Sequence, residues 1–298
     1  MRIAKLVHNP TAGEGEHSKK ELKELLAAKG FEAQYSSTKK DGWEQMEDET
    51  ELVIVAGGDG TIKKVVLDFM EKKLHEQRPI ALLPSGTANN IAKTLNIYGE
   101  KDDIIESWHK NILRKFSIGK LGGLKDNKFF LESFGFGLFP KLMRDMDEVP
   151  EEETDSPEKE IAVARKKMLD SIEIYKPIAC KLTIDDKDFS GNYFLLEIMN
   201  TRAIGPNLVL APKADPGDNL LEVILVDETN IEIFKDYLSK LLAGKEMDSP
   251  IKPIEAKKIA LQWSGKEAHV DDKIIKLDNN DGIEISLMEE MLDFFVTE

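Results

Sequence analysis

The sequence predicts an α/β domain built on an open parallel sheet, followed by a second domain, a mostly antiparallel β-sandwich. Two observations carry the first half. Over residues 1–115, apolar runs of strand length alternate with amphipathic helix patterns, and repeated β-α units lay their strands side by side in parallel. Several of these runs end in loops rich in Gly, Asn, Pro and Thr. A third observation carries the second half: from residue 116 to about 285 strand-like runs dominate, and strands gathered after a β-α block indicate a separate antiparallel domain.

In order along the chain, Ile3 to Val7 reads as a first strand running into His8-Asn9-Pro10-Thr11-Ala12-Gly13. Ser18 and Glu21 make a capping box for a helix with a Leu22, Leu25, Leu26 stripe, ended by Gly30. Phe31 to Ser36 and Leu52 to Ala56 are the next strands. The latter stops at Gly57-Gly58-Asp59-Gly60-Thr61, and a helix follows from about Thr61 to Lys73. Pro79 to Leu83 runs into Pro84-Ser85-Gly86-Thr87, ahead of a helix carrying Ala88, Ile91, Ala92 and Leu95.

The second half shows runs such as KFSIGKL, KFFLESF, IACKLTI, YFLLEIM, LLEVILV, KKIALQW and GIEISL, separated by polar turns at Asp126-Asn127, Asp185-Asp186 and Asp281-Gly282. Two helices are expected among them. One opens at Ser156-Pro157 with Ile161, Ala164, Met168 and Ile172 on its apolar face. The other covers Asn230 to Leu242. The acidic stretch from Asp145 to Glu160 reads as a solvated loop, with a lid over a substrate as the sharper alternative. The segment from about 286 to 298 is expected to pack back on the first domain.

Composition narrows the function. A formal net charge of −15 argues against nucleic acid, which needs clustered cations. No apolar run approaches the roughly 20 residues of a membrane helix, and the N-terminal apolar stretch is too short for a signal peptide. The one cysteine, Cys180, excludes an internal disulfide and a cysteine-rich zinc site, and reads as a buried inert thiol. A cytoplasmic location fits. Lys39-Lys40, Lys63-Lys64 and Arg165-Lys166-Lys167 are candidates for a local basic face, with solvated lysines on helix and loop surfaces as the commoner case.

The richest motif is Gly57–Thr61. A strand that ends in glycines and opens a helix lets backbone N–H groups approach phosphate. Asp59 places a carboxylate in that turn, where its charge opposes phosphate unless Mg²⁺ sits between them. The expectation is a nucleotide phosphate site with Asp59 organising the metal. Thr87, in an analogous loop, offers a hydroxyl to phosphate or an N-cap to its helix. In open α/β sheets ligands bind beyond the carboxyl ends of the strands, where all three loops fall.

Asn9–Gly13, Thr38, Gly57–Thr61 and Pro84–Asn90 together resemble the diacylglycerol kinase catalytic domain shared by bacterial and eukaryotic lipid kinases. The second domain is similar as well, through Ala211-Pro212 ahead of Asp215-Pro216-Gly217-Asp218-Asn219-Leu220-Leu221. The resemblance implies two domains closing a cleft, with ATP contacting Asn9, Pro10, Thr11, Ala12, Gly13, Thr38, Gly57, Gly58, Asp59, Gly60, Thr61, Ile62, Lys63 and Thr87. It implies a magnesium ion on Asp215, Asp218 and the carbonyl of Leu220. Two carboxylates three residues apart, with a backbone oxygen, suit a hard cation; an Asp-rich turn between strands is the plain alternative.

Two departures from the family pattern stand out. Asn90 replaces the usual Asp. The late turn that carries a catalytic Glu in relatives reads His269-Val270-Asp271-Asp272-Lys273, with Lys273 in place of Glu. A protonated lysine cannot accept a proton, so Asp271 or Asp272 is the expected base and His269 a further candidate, with a surface histidine of no role as the commoner case. The expected activity is an ATP- and Mg²⁺-dependent kinase acting on a lipid hydroxyl, with transient bilayer contact through apolar residues such as Phe134, Phe136, Leu138 and Phe139; core packing is the commoner role for such phenylalanines. A homodimer is left open. The alternatives are a non-catalytic nucleotide- or lipid-binding homologue, motivated by Lys273, and a soluble-substrate kinase of the NAD kinase type.

Overall fold

The computed structural model describes residues 1–12, 18–72, 78–126, 128–205, 207–278 and 282–297. Gly13, Lys73, Asn127 and Asp281 lie outside the described residues. The chain divides into two compact units: Met1–Ser117 with Glu289–Glu298, and Ile118–Met288.

The first unit holds β1 (Arg2–His8), α1 (Lys19–Ala28), β2 (Phe31–Ser37), β3 (Leu52–Gly57), α2 (Asp59–Lys72), β4 (Ile80–Pro84), α3 (Asn90–Thr94) and α4 (Lys101–Ser107), followed by the start of β5 (Leu113–Gly122). Its strands pair in parallel in the order β4-β3-β1-β2. β1 sits between β2 and β3, so the winding direction reverses at the β1–β3 seam. That seam is the crevice where doubly wound sheets bind ligands. β3 is buried along its whole length, as expected for a parallel strand covered on both faces. The capping box at α1 is complete: Glu21 N–H donates to Ser18 Oγ and Ser18 N–H to Glu21 Oε2. α2 begins at Asp59, inside the glycine turn and two residues before the expected start.

The second unit contains β6 (Phe129–Phe130), β7 (Ser133–Gly137), α5 (Leu138–Asp147), α6 (Pro157–Ile172), β8 (Ile178–Ile184), β9 (Lys187–Asp188), β10 (Gly191–Tyr193), β11 (Leu195–Met199), β12 (Ala203–Ile204), β13 (Leu208–Val209), β14 (Leu221–Val226), α7 (Ile231–Leu242), β15 (Ile254–Ala256), β16 (Lys258–Trp263), β17 (Glu267–Val270), β18 (Lys273–Lys276) and most of β19's first half (Ile283–Phe295 in full). The end of β19 returns to the first unit, where Phe294 pairs with Ile80 of β4. One sheet of the second unit runs β15-β14-β11-β7-β17-β18, antiparallel where its pairs are defined. The other includes β10-β8-β16-β19. Leu196 and Ile198 of β11 and Phe134 and Phe136 of β7 share one core with Leu182, Leu261 and Ile285 of the opposing sheet. Side chains alternate across a strand, so Leu195 and Met199 point the other way, into a second core with Phe139, Met168 and Phe234 from α5, α6 and α7.

Two expectations need correction. A third helix, α5, occupies Leu138–Asp147, a span to which the sequence assigned no element beyond the acidic loop expected from Asp145. Its Pro140 lies in the first turn, where a missing N–H costs nothing. Phe134, Phe136 and Leu138 are fully buried and Phe139 nearly so, so these four side chains form core and present no face to a bilayer. The acidic stretch is mostly ordered as the end of α5, a short 3-10 turn at Glu151–Glu153 and the start of α6, which Ser156 caps through the Lys159 N–H. Cys180 is buried, and burial pushes its thiol up to about 12. No helix among the described residues is long and apolar enough to cross a membrane.

Candidate functional site

In the first unit the three loops meet at the β1–β3 seam. Asn9 follows β1, and its N–H donates to Ala56 O at 2.9 Å, tying the loop to β3. Its Oδ1 accepts from Thr11 N–H and Oγ1, and its Nδ2 donates to Thr61 Oγ1 at 3.2 Å. Ala12 N–H closes the turn on Asn9 O, and Pro10 lies between. Thr38 follows β2, with its N–H on His8 O and its carbonyl accepting from Lys64 Nζ.

The glycines serve this packing directly. A Cβ on Gly57 would stand 2.5 Å from Thr61 Oγ1, and a Cβ on Gly86 would stand 2.6 Å from the Gly58 Cα. The turns after β3 and β4 therefore touch backbone to backbone, which a side chain forbids. Gly60 is exposed and Lys63 half-buried, while Ile62 is in the core, leaving only its backbone for a ligand.

Asp59 has amide partners. Its Oδ2 accepts from Asn90 N–H at 2.9 Å and its Oδ1 from Ile91 N–H at 3.0 Å. These donors are the opening amides of α3, so the carboxylate ties the β3 and β4 loops together and sits where a helix start favours negative charge. The charge conflict that the sequence reading resolved with a cation is met here by backbone donors. Thr87 is exposed and is not the residue flanking α3; Asn89 takes that place, left-handed at φ +51°, with its Oδ1 accepting from Gly86 N–H.

In the second unit, the loop before β14 folds through two carboxylate turns. Asp215 Oδ1 accepts from Gly217 N–H and Asp218 Oδ1 from Leu220 N–H, both at 2.9 Å. Asp218 N–H donates to Asp215 O. Nearby Glu222, paired in register with Glu255, has its carboxyl raised by burial first and then by the charges of Glu255 and Asp218. The donors are oxygens of the kind Mg²⁺ takes, and a cation would relieve that repulsion. Among the described residues no three acidic, His or Cys side chains converge as a metal group, so the Asp215, Asp218 and Leu220 set would be completed largely by water, as Mg²⁺ commonly is.

Also in the second unit, the late turn is built on buried polar side chains. His269 is not a surface histidine. It is fully buried, with Nε2 at 2.9 Å from Glu197 Oε2 and Nδ1 at 2.8 Å from Asp271 O. A carbonyl only accepts, so Nδ1 carries a proton. Glu197, Gly135 and His269 stand in register on adjacent strands β11, β7 and β17. The central glycine opens the gap that lets the outer side chains meet, and the Phe139 ring packs on the imidazole at 4.6 Å. Burial foremost pushes the Glu197 carboxyl up, against the pull of His269. Burial lowers the imidazole, but Glu197 and Asp271 outweigh it and raise it. Both directions mean that the pair holds one shared proton tightly.

Asp271 is itself buried, at φ +50°. Its carboxylate accepts from Leu131, Glu132 and Ser133 N–H at 2.8–3.2 Å. A carboxylate so engaged is a poor proton acceptor, which disfavours Asp271 as the base. Asp272 and Lys273 beside it are exposed. Sequence reasoning missed Glu197; its signal was a lone charge in the apolar strand Leu195-Leu196-Glu197-Ile198-Met199.

Residues 4–121 match the family model described as the diacylglycerol kinase catalytic domain, and residues 157–275 that of the YegS C-terminal NAD kinase beta sandwich-like domain. The "Diacylglycerol kinase" of Bacillus subtilis (strain 168) is 26% identical over 261 residues, 83% of this chain and 81% of the relative. "Putative lipid kinase SAS0691" of Staphylococcus aureus (strain MSSA476) is 27% identical over 217 residues, 72% of this chain and 67% of the relative. The solved structure titled "A putative diacylglycerol kinase from Bacillus anthracis str. Sterne" superposes with a TM-score of 0.77 at 21% identity, over 99% of this chain and 97% of that one; at that identity it speaks to the fold.

Proposed function

Because the chain belongs to the diacylglycerol kinase catalytic domain family, with its sandwich domain of the YegS type, we propose that it is an ATP- and Mg²⁺-dependent kinase that phosphorylates a hydroxyl of a lipid acceptor. The observation that carries this reading is the meeting of the Asn9, Gly57–Thr61 and Gly86 loops at the seam of the first unit's sheet. Backbone N–H groups there, with Lys63 and Thr87 at the edge, would hold the phosphates of ATP. Asp215, Asp218 and the Leu220 carbonyl would hold Mg²⁺, which when bound neutralises charge on the transferring group.

Asp272 is assigned the base. It is exposed beside the buried Asp271, in the turn where relatives of this family carry their catalytic Glu. The acceptor oxygen gives its proton to the Asp272 carboxylate and forms a bond to the γ-phosphorus as the bond from that phosphorus to the ADP oxygen breaks. Positioning and charge neutralisation do most of this chemistry. Contact with bilayers would be peripheral and transient.

The test is transfer of label from γ-labelled ATP, with and without Mg²⁺, to vesicles carrying diacylglycerol, a sphingoid base or a polyprenol, with NAD in a parallel arm. Mg²⁺-dependent label in an extracted lipid supports the reading. Label in NAD alone would move the chain to the soluble-substrate type, and ATP binding without transfer to any acceptor would make it a binder.

A further inference from the structure

Glu197 and His269 lie outside every role assigned above, yet they are the most completely buried charged pair described. Each is fully enclosed, and both stand on the sheet face that the helices cover. The room they occupy depends on Gly135, where a Cβ would come within 2.1 Å of the Glu197 carboxylate. From this pair a chain of hydrogen bonds runs outward. Glu197 meets His269 Nε2, His269 Nδ1–H donates to Asp271 O, and the Asp271 carboxylate gathers the N–H groups of Leu131, Glu132 and Ser133. Asp271 N–H returns to Ser133 O.

We propose that His269 is a positioning residue, buried against Glu197. It fixes the backbone of Asp271 from beneath, and so sets both the Asp272–Lys273 turn and the 131–133 backbone against it. The role deepens the kinase reading and rests on it for its link to turnover, but the ordering itself is a property of the protein alone. The titratable groups facing His269 are Glu197 and Asp271. Toward it β7 presents Gly135, α5 presents Phe139, and β18 places Ile274 in register. The Arg144 cation of α5 is engaged with Glu267.

Two half-replacements separate the bonds. His269→Asn keeps a donor near the Nδ1 position, and with it the bond to Asp271 O. His269→Gln keeps a polar atom near Nε2, and with it the contact with Glu197, but loses the donor to Asp271 O. Amide hydrogen exchange at Leu131, Glu132 and Ser133, referenced to the β14 amides to remove global stability, should quicken by about tenfold in His269→Gln and by less than about twofold in His269→Asn. Turnover should fall with the same rank order while the KM for ATP stays unchanged. Equal quickening in both variants, or none in His269→Gln, would overturn the proposal. Exchange is read without substrate, so a wild-type protein that transfers no phosphate would sink the kinase reading and leave this one standing or falling on its own.

Discussion

Replacing Gly135 by alanine is the smallest change that reaches the centre of the sandwich unit's polar row. A Cβ there would fall 2.1–2.3 Å from the carboxylate atoms of Glu197. Those atoms end a flexible side chain, so moving them is cheap in itself. The cost lies in what they leave, a fully buried imidazole whose proton they share. Separating such a pair costs about 3–5 kcal/mol. Gly135→Ala should therefore lower unfolding stability by about that amount, read as a shift in urea midpoint at constant slope. Glu197→Ala removes the pair from the other side, and should cost a similar amount. The double variant should cost little more than either alone, because the new methyl then fills space the carboxylate has vacated. A loss below about 1 kcal/mol for Gly135→Ala, or additive losses in the double variant, would refute the reasoning.

The shared proton also predicts a pH dependence. Unfolded His269 gives up its proton near 6.5, whereas the native pair holds it to higher pH. Between those values the folded state binds one more proton, so stability falls as pH rises, by up to about 1.4 kcal/mol per pH unit; below 6.5 the contribution is fully present. Urea midpoints at several pH values should show this slope in the wild type and a flatter one in Glu197→Gln, and parallel slopes would contradict it. In the first unit, Gly86→Ala should lower ATP affinity by at least about tenfold and stability by about 1–3 kcal/mol, since its methyl would meet the Gly58 backbone. Calorimetry reads both, and unchanged affinity would show that the two turns need not touch.

The fold class was legible because its signals are local. Strand runs, the Ser18 capping box and the Ser156-Pro157 start all depend on neighbours within a few residues. α5 was hidden because its start carries no capping side chain: Gly137 stands at its N-cap without a side-chain hydrogen bond. The loops Asn9–Ala12, Gly57–Thr61 and Pro84–Asn90 were recognisable from glycine and polar content, and the structure brings their described residues together. Their partnerships were not, because Asp59 finds its donors 31 and 32 residues away and Glu197 finds His269 at a separation of 72. A carboxylate's charge is visible in sequence, but the groups that neutralise it are a property of the packed chain. That is why the amide partners of Asp59 stayed out of view and His269 read most simply as a surface residue.

The central claim is that the loops of the first unit bind ATP and the Asp272 turn of the second activates the acceptor. Asp272→Asn tests it most directly, because Asp272 is exposed and its loss should leave the fold intact. With the acceptor lipid identified, this variant should bind ATP with unchanged affinity and lose turnover by about 10²–10⁴-fold. Turnover within about threefold of wild type would contradict the account, since general-base catalysis is worth far more than that.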